Sequence, residues 1–417
     1  MASKQDEPEV AAQAAPAPVH DATLSAGIVT AVVGFTSSFA VVLTGLRGVG
    51  ATPAQAASGL LALCVLQGIG MLILAQRYRM PLTLAWSTPG AALLASTGVL
   101  PGGWPTAVTA FAMVGVLVVL AGVIRPLGRL VELIPPGVAS GMLAGIILSI
   151  CLDAVGLAGA NPGLLLPLVL AWVLGMRWWS KWATPAVVLV GFAVIAASPG
   201  MRDLRWEDLL PQVSLVAPSL ELFPAAALAV PLFIVTMASQ NVPGVVVMRS
   251  FGYRVPWRFS MLLTGALTLL VAPFGGHSVN LAAISGALAA NDDVHPDPSR
   301  RWRAARIAGV TYLVFGLLST GVAALVVLGP DGIMETIAAL ALLGVLGSSV
   351  SAMISDGGGR EAALVTFVIA ASGVGFAGIG AAFWALLAGL VVHLLLERTK
   401  RWLPRSRRTA PLRSTQQ

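Results

Sequence analysis

Charge is what this chain has least of. Of its 417 residues only 10% are Asp, Glu, Lys or Arg, 57% are hydrophobic, and mean hydropathy is +0.87. Soluble domains carry roughly 25% charged residues, so a water-soluble fold is excluded and the solvent is lipid. Cysteine is nearly absent. Cys64 and Cys151 both fall within apolar runs, which supports neither a disulfide framework nor a thiolate metal site. No intramembrane cluster of His, Asp and Glu stands out, and no soluble domain is appended, so neither a membrane enzyme nor a sensor is expected. The glycines of SDGGGRE (355–361) are not followed by Lys-Ser/Thr, so ATP is not indicated as an energy source. Residues 1–21 have neither a basic n-region nor an apolar h-region; they are expected to form a disordered cytoplasmic leader rather than a signal peptide.

What the chain does have is apolar runs of membrane-crossing length. About fourteen such segments lie between residues 22 and 397, and those at 82–98 and 276–290 are short and interrupted by glycine, proline or polar residues. With the N-terminus inside, every Lys and Arg except Arg47, Arg202 and Arg205 falls on the cytoplasmic side, Arg125 and Arg129 among them. That is the bias expected of inward loops. A miscount by one span would spoil it, so both termini are expected inside. The net charge of +7 then reflects topology and not nucleic-acid binding. Trp178, Trp179, Trp182, Trp302 and Trp402 suit interface anchors.

Fourteen segments divide as seven plus seven, and an odd-numbered repeat must be inverted in the membrane. The first and eighth segments each carry a polar step, Thr36-Ser37-Ser38 and Ser239-Gln240-Asn241, followed by a basic residue and then a proline. The third and tenth align as WSTPGAALLASTG and HSVNLAAISGALA, with Ser87 opposite Ser278 and Pro89 opposite Asn280. An inverted repeat with one broken segment per half is how transporters build a midplane site.

LAWSTPGAALL (84–94) is such a break. Residues 81–86 suit extended backbone, Thr88 a helix N-cap and Pro89 the first helical position, where a missing N–H costs nothing. The Ala-Ala-Leu-Leu run follows as a half-helix whose positive end lies inside the bilayer. Gly275-Gly276-His277-Ser278 is expected to do the same in the second half. Two such ends aimed at one spot would hold an anion without Lys or Arg. A plain turn is the blander account of Ser87, Thr88, Pro89 and Gly90, but a bare turn at membrane depth leaves backbone groups unsatisfied. Ser37 and Ser38 serve equally as helix–helix hydrogen-bonding groups. Ser239, Gln240 and Asn241 demand partners or ligand, and His277 is either a satisfied structural histidine or a ligand and proton carrier.

LAWSTPGAALL, VTMASQNVPGVVVMRSFGY and APFGGHSVNLAAISGALAANDDVHPDPSRRW resemble the hallmark segments of the benzoate/proton symporter family of bacterial inner membranes. The resemblance covers nearly all of residues 22–397 and implies an all-α polytopic fold shared with nucleobase transporters and sulfate/bicarbonate exchangers. It divides the chain into a leader (1–21), a first core half (22–132, spans 1–4), a first gate half (133–200, spans 5–7), an extracytoplasmic loop (201–221), a second core half (222–330, spans 8–11), a second gate half (331–397, spans 12–14) and a basic cytoplasmic tail (398–417). It places substrate between the third and tenth segments, against the first and eighth. Related nucleobase carriers hold their ring with glutamates on the eighth and tenth spans. Here Ser239-Gln240-Asn241 and His277-Ser278 are neutral, which favours an anion. The expectation is therefore a transporter importing benzoate or a similar aromatic carboxylate with protons. Its partners are that acid, the proton and the inner-membrane lipid; a homodimer is compatible. No cofactor, metal or nucleic acid is implied, and Phe35, Phe39, Trp86 and Phe274 are available to line a ring. An inorganic-anion or nucleobase transporter on the same fold is the alternative.

Overall fold

The structure is a computed structural model and describes residues 21–124, 134–282, 284–355, 359–376 and 379–402. Arg125, Arg129, Asp356 and nearly all of the leader and the basic tail lie outside the described residues.

The first apolar segment is two helices, not one. Helix α1 (Thr23–Thr36) stops at Ser37 and Ser38, and α2 (Phe39–Gly48) resumes beyond them. Each hydroxyl there bonds back to the preceding turn: Thr36 to Val32 O at 2.6 Å, Ser37 and Ser38 to Gly34 O at 3.1 and 3.3 Å. Consecutive back-bonding hydroxyls compete with the helical ladder. Helix α3 (Pro53–Tyr78) starts on a capping box between Thr52 and Gln55, with Pro53 in the first turn, and ends on left-handed Arg79.

The third segment contains no full crossing. Residues Leu84–Trp86 form strand β1 and Thr88–Thr97 the half-helix α4. After α5 (Trp104–Val123) come α6 (Pro136–Ala160), α7 (Pro162–Trp178) and α8 (Ala183–Ala196). The eighth segment is α9 (Leu222–Thr236), a π-helical turn at Met237–Asn241, and α10 (Val242–Ser250). Pro243 has no N–H for the Ser239 carbonyl, and a π turn is a common local adjustment to such a gap, often at functional positions. Helix α11 (Trp257–Val271) leads to strand β2 (Val279–Leu281) and a second half-helix, α12 (Ile284–Ala290). Helices α13 (Trp302–Leu328), α14 (Ile333–Ser355), α15 (Arg360–Ala371) and α16 (Ala381–Trp402) complete the chain.

The broken segments differ from expectation in two ways. Among the described residues the one sheet is two-stranded and antiparallel, with Leu84 opposite Leu281, Ala85 opposite Asn280 and Trp86 opposite Val279. The second half-helix starts at Ile284 and not at Gly275–Ser278, which lie ahead of β2. Residues 87 and 282 are the first past each strand.

Among the described residues eight helical stretches are long and apolar enough to cross a membrane, and three more apolar helices are shorter. The protein is a multi-pass membrane protein. Its helices pack as two groups. In one, α13 lies on α3 and α1, α11 on α5 and α2 on α4; in the other, α14 and α15 lie on α6, α16 on α15 and α7 on α8. The groups meet chiefly where α14 touches α2 and α6 touches α4. The connection before α9 is stitched to the first group: Ser214 N–H donates to Ser58 Oγ (2.9 Å), Val216 N–H to Pro273 O (2.9 Å) and Thr109 Oγ1 to Ser219 O (2.9 Å).

Candidate functional site

Everything at the centre hangs on Ser87. Its Oγ accepts from Gly90 N (3.1 Å) and from Thr236 Oγ1 (2.9 Å); its carbonyl accepts from Ala91 N (2.8 Å) and bonds His277 Nε2 (2.9 Å). Ser87, not Thr88, is therefore the N-cap, and Thr88 is the first helical residue. The Ser87 oxygen takes the N–H of Gly90, three residues on, as an N-cap oxygen does. Pro89 donates nothing and Gly90 is capped. The Thr88 N–H is thus the free backbone donor left in the first turn of α4, beside its own hydroxyl.

Next to Thr88 lies a cavity of about 140 Å³. Its walls are Val33, Gly34, Ser37 and Ser38 from the break after α1, Ala85, Trp86, Thr88 and Pro89 from the first broken segment, Gln240 from the π turn, Ala282 and Ser285 from the second, and Ala341 and Val345 from α14. No charged residue lines it. A second cavity of about 340 Å³, lined by Ser140, Leu143, Ser239, Pro243, Ser348 and Ala352 among others, shares Pro89, Gln240 and Val345 with the first. The Gln240 amide is half-buried and has no hydrogen-bond partner among the described residues. Phe35 stacks on Phe39 (5.1 Å) and meets Trp86 edge-on (5.9 Å), while the Trp86 indole donates to Ser38 Oγ at 2.8 Å. Of these rings only Trp86 lines the cavity, and it is thereby locked to the helix break, while Phe35 and Phe39 pack without lining either cavity.

The structure brings together Ser37, Ser38, Thr88, Pro89 and Gln240 of the residues singled out from sequence. Ser87 and Gly90 form the cap behind them, and Ser239 opens on the larger cavity while its hydroxyl bonds Val235 O (2.6 Å). Asn241 is a tie: its Oδ1 accepts from Leu281 N at 2.9 Å, holding β2 to the π turn. Asn280 is buried, its Nδ2 donating to Leu281 O (3.0 Å). His277 and Ser278 are buried and line neither cavity. Phe274 lines neither as well. A carbonyl only accepts, so His277 Nε2 carries the hydrogen toward Ser87 O and Nδ1 is the bare acceptor. That Nδ1, Ser278 Oγ and Asn280 Oδ1 are buried without a protein partner, which is where internal water is commonly held.

Sequence reasoning missed Ser285, Ala341 and Val345. Ser285 was legible within LAAISGALA once the strand, not the glycine pair, set the alignment. Ala341 and Val345 sit in a uniformly apolar helix and carry no local signal.

The role of Asn241 is testable. Asn241→Ala strands the Leu281 N–H in an apolar interior, where an unmet donor costs about 1–3 kcal/mol. The detergent-purified variant is expected to melt several degrees lower than the parent; an unchanged Tm would show that β2 is held by other means.

Residues 17–395 match the family model described as benzoate membrane transport protein. The chain is 35% identical over 376 residues to the inner membrane protein YdcO of Escherichia coli K12, covering 90% of this chain and 95% of that protein. It is 27% identical over 330 residues to a benzoate membrane transport protein of Acinetobacter baylyi, covering 79% and 83%. In fold it is similar to the transmembrane domain of the cyanobacterial bicarbonate transporter BicA (TM-score 0.56, 17% identity, covering 89% and 97%). It is also similar to the murine Solute Carrier 26 family member A9 anion transporter in its inward-facing state (TM-score 0.62, 14% identity, covering 91% and 68%). These neighbours are transporters, and a transporter is what a helix-broken, uncharged cavity between two packed groups provides. The chain belongs to the benzoate membrane transport protein family.

Proposed function

We propose that this protein is a secondary active transporter that imports benzoate or a similar aromatic carboxylate together with protons. The observation that carries the reading is the cavity at Thr88. It offers the Thr88 N–H, the Thr88 hydroxyl and the Gln240 amide as donors, the positive end of α4 behind them, no carboxylate, and a Trp86 wall for a ring. The relative from Acinetobacter baylyi, named for benzoate transport, supports the same substrate class. The antiparallel β1–β2 pairing and the matching irregularities at Ser37-Ser38 and at Met237–Asn241 are what an inverted seven-plus-seven repeat would produce. The first helix group then serves as the core and the second as the gate. The larger cavity is lined by Ser140, Pro243 and Ala352, on helix ends that adjoin Arg249 and Arg360 in sequence. By the positive-inside rule that side is cytoplasmic, so both termini are inside and the conformation is inward-facing. The proton is the co-substrate, and no bound cofactor enters the cycle.

The decisive experiment is uptake of a panel of radiolabelled acids by proteoliposomes under an imposed pH gradient. Benzoate accumulation driven by the gradient is the expected result; accumulation of bicarbonate or sulfate instead would overturn the substrate class in favour of an inorganic anion. Within the site, a hydrogen bond to a charged group is worth ~1.5–3 kcal/mol, so Gln240→Ala and Thr88→Val should each weaken benzoate binding roughly ten- to a hundredfold. Ser278→Ala, whose hydroxyl lines neither cavity, should leave the Kd nearly unchanged. Equal losses in all three would relocate the carboxylate toward β2.

A further inference from the structure

The segment joining α12 to α13, NDDVHPDPSRRW (291–302), has no part in the transport reading, yet it is closely built. Arg301 is its hub and is only 3% exposed. Its Nε donates to His295 O (2.8 Å), its Nη1 to Ala290 O (2.9 Å) and its Nη2 to Pro296 O (3.5 Å), and it pairs with Asp292. Ala290 is the last residue of α12. Arg301 itself stands at the N-cap of α13, with Arg303 in the turn that follows. A cation is unfavourable at the start of its own helix and favourable at the end of another. The placement therefore serves α12, whose last carbonyls have no helical partner.

The same segment ties two more elements. Tyr253, just past α10, donates its hydroxyl to Pro298 O (2.8 Å), and Ala22, just ahead of α1, donates its N–H to Val294 O (3.1 Å). Val294 packs with Ala289 of α12, Ala304 of α13 and Ala26 of α1 in a small apolar cluster apart from the main core. Each tied element carries a wall of the small cavity at its other end. Helix α1 leads into Ser37 and Ser38, α10 follows Gln240, and α12 has Ser285 in its first turn, just past Ala282. At seven residues α12 is too short to persist on its own. Its first end follows β2, and Arg301 holds its last.

We propose that Arg301 is a positioning residue of the binding site. Through Ala290 and the 291–301 clasp it fixes α12, and with it Ser285 and Ala282, against the walls carried by α1 and α10. Arg301 lines neither cavity itself. The inference rests on the small cavity being where cargo binds. Lysine keeps the charge but donates from a single point, and cannot span the carbonyls that a planar guanidinium reaches together. The Asp292 carboxylate, 89% exposed, is a solvent-screened partner of little weight.

Concentration-dependent benzoate uptake by proteoliposomes, beside hydrogen exchange of the full chain in nanodiscs, tests this for the parent, Arg301→Lys and Asp292→Asn. Arg301→Lys is expected to raise KM about tenfold with Vmax within about twofold, and amides 284–290 to exchange faster. Asp292→Asn leaves the carbonyl bonds in place and is expected to match the parent in both. A parental KM in an Arg301→Lys protein that merely melts earlier overturns the proposal and leaves Arg301 a stabilising group. Equal losses in Arg301→Lys and Asp292→Asn also overturn it, since the ion pair would then be the working element. If Arg301→Lys does not fold, Tyr253→Phe decides: losing the bond to Pro298 is expected to raise KM about threefold, and an unchanged KM overturns the proposal. A parent that takes up no benzoate sinks the transport reading alone. Exchange at 284–290 still decides the clasp in that case, and parental exchange in Arg301→Lys overturns it.

Discussion

Replacing Pro89 and Gly90 together with alanine is expected to abolish benzoate uptake, lowering it by roughly a hundredfold, about 2.7 kcal/mol at 1.4 kcal/mol per decade. Two effects act in the same direction. A β-carbon on Gly90 would stand 2.6 Å from Leu232 Cδ1 and 2.8 Å from Ser87 Oγ, so even a methyl group must displace the cap side chain and the Leu232 methyl. Alanine at 89 restores an N–H and removes the fixed φ that starts α4 at this point. With the cap displaced, the Ser87 carbonyl shifts from His277 and the Thr88 N–H turns from the cavity. The measurement is proteoliposome uptake beside a fluorescence-detected size-exclusion profile. A double variant that inserts normally and transports at the parental rate would show that the start of α4 does not form the site.

The second large effect concerns coupling. His277→Gln is expected to transport benzoate with no pH dependence, and the parent to take it up faster as the outside is acidified. Glutamine can still donate to Ser87 O, but it has no counterpart of the bare Nδ1 that would receive a proton. On the proposed coupling a carboxylate in the cavity would favour a proton on His277, and anion and proton would bind cooperatively. The loaded site would then cross as a neutral unit and avoid a membrane-potential cost of ~2.3 kcal/mol per charge per 100 mV. Uptake measured against external pH, with valinomycin clamping the potential, should be acid-stimulated and electroneutral in the parent and flat in the variant. A variant that keeps the parent's profile makes His277 a structural donor to Ser87 alone and moves the proton to an edge acid such as Glu335, half-buried at the start of α14.

The sequence by itself determined the solvent, the places where helices must break, and the neutrality of the site. Low charge and recurring apolar runs leave only lipid. Ser87 and Pro89 mark where a helix starts, by a side-chain cap and a missing N–H, and Pro243 denies the Ser239 carbonyl its partner; both irregularities are present. These are properties of the residues and their immediate neighbours, which is why they are legible along the chain. Which polar groups face the cavity was decided by tertiary structure. Thr88 and Gln240 are left free because Ser87 and Asn241 are consumed, one by Gly90 and Thr236, the other by Leu281 of the opposite broken segment. Adjacent polar side chains thus divide into ligands and ties according to partners far away in sequence. His277 was placed behind the cavity and not in it by the register of β1 against β2, which no local pattern encodes. Ala341 and Val345 lie on a helix whose sequence is apolar almost throughout, and only the packing of α14 against the breaks brings them to the site.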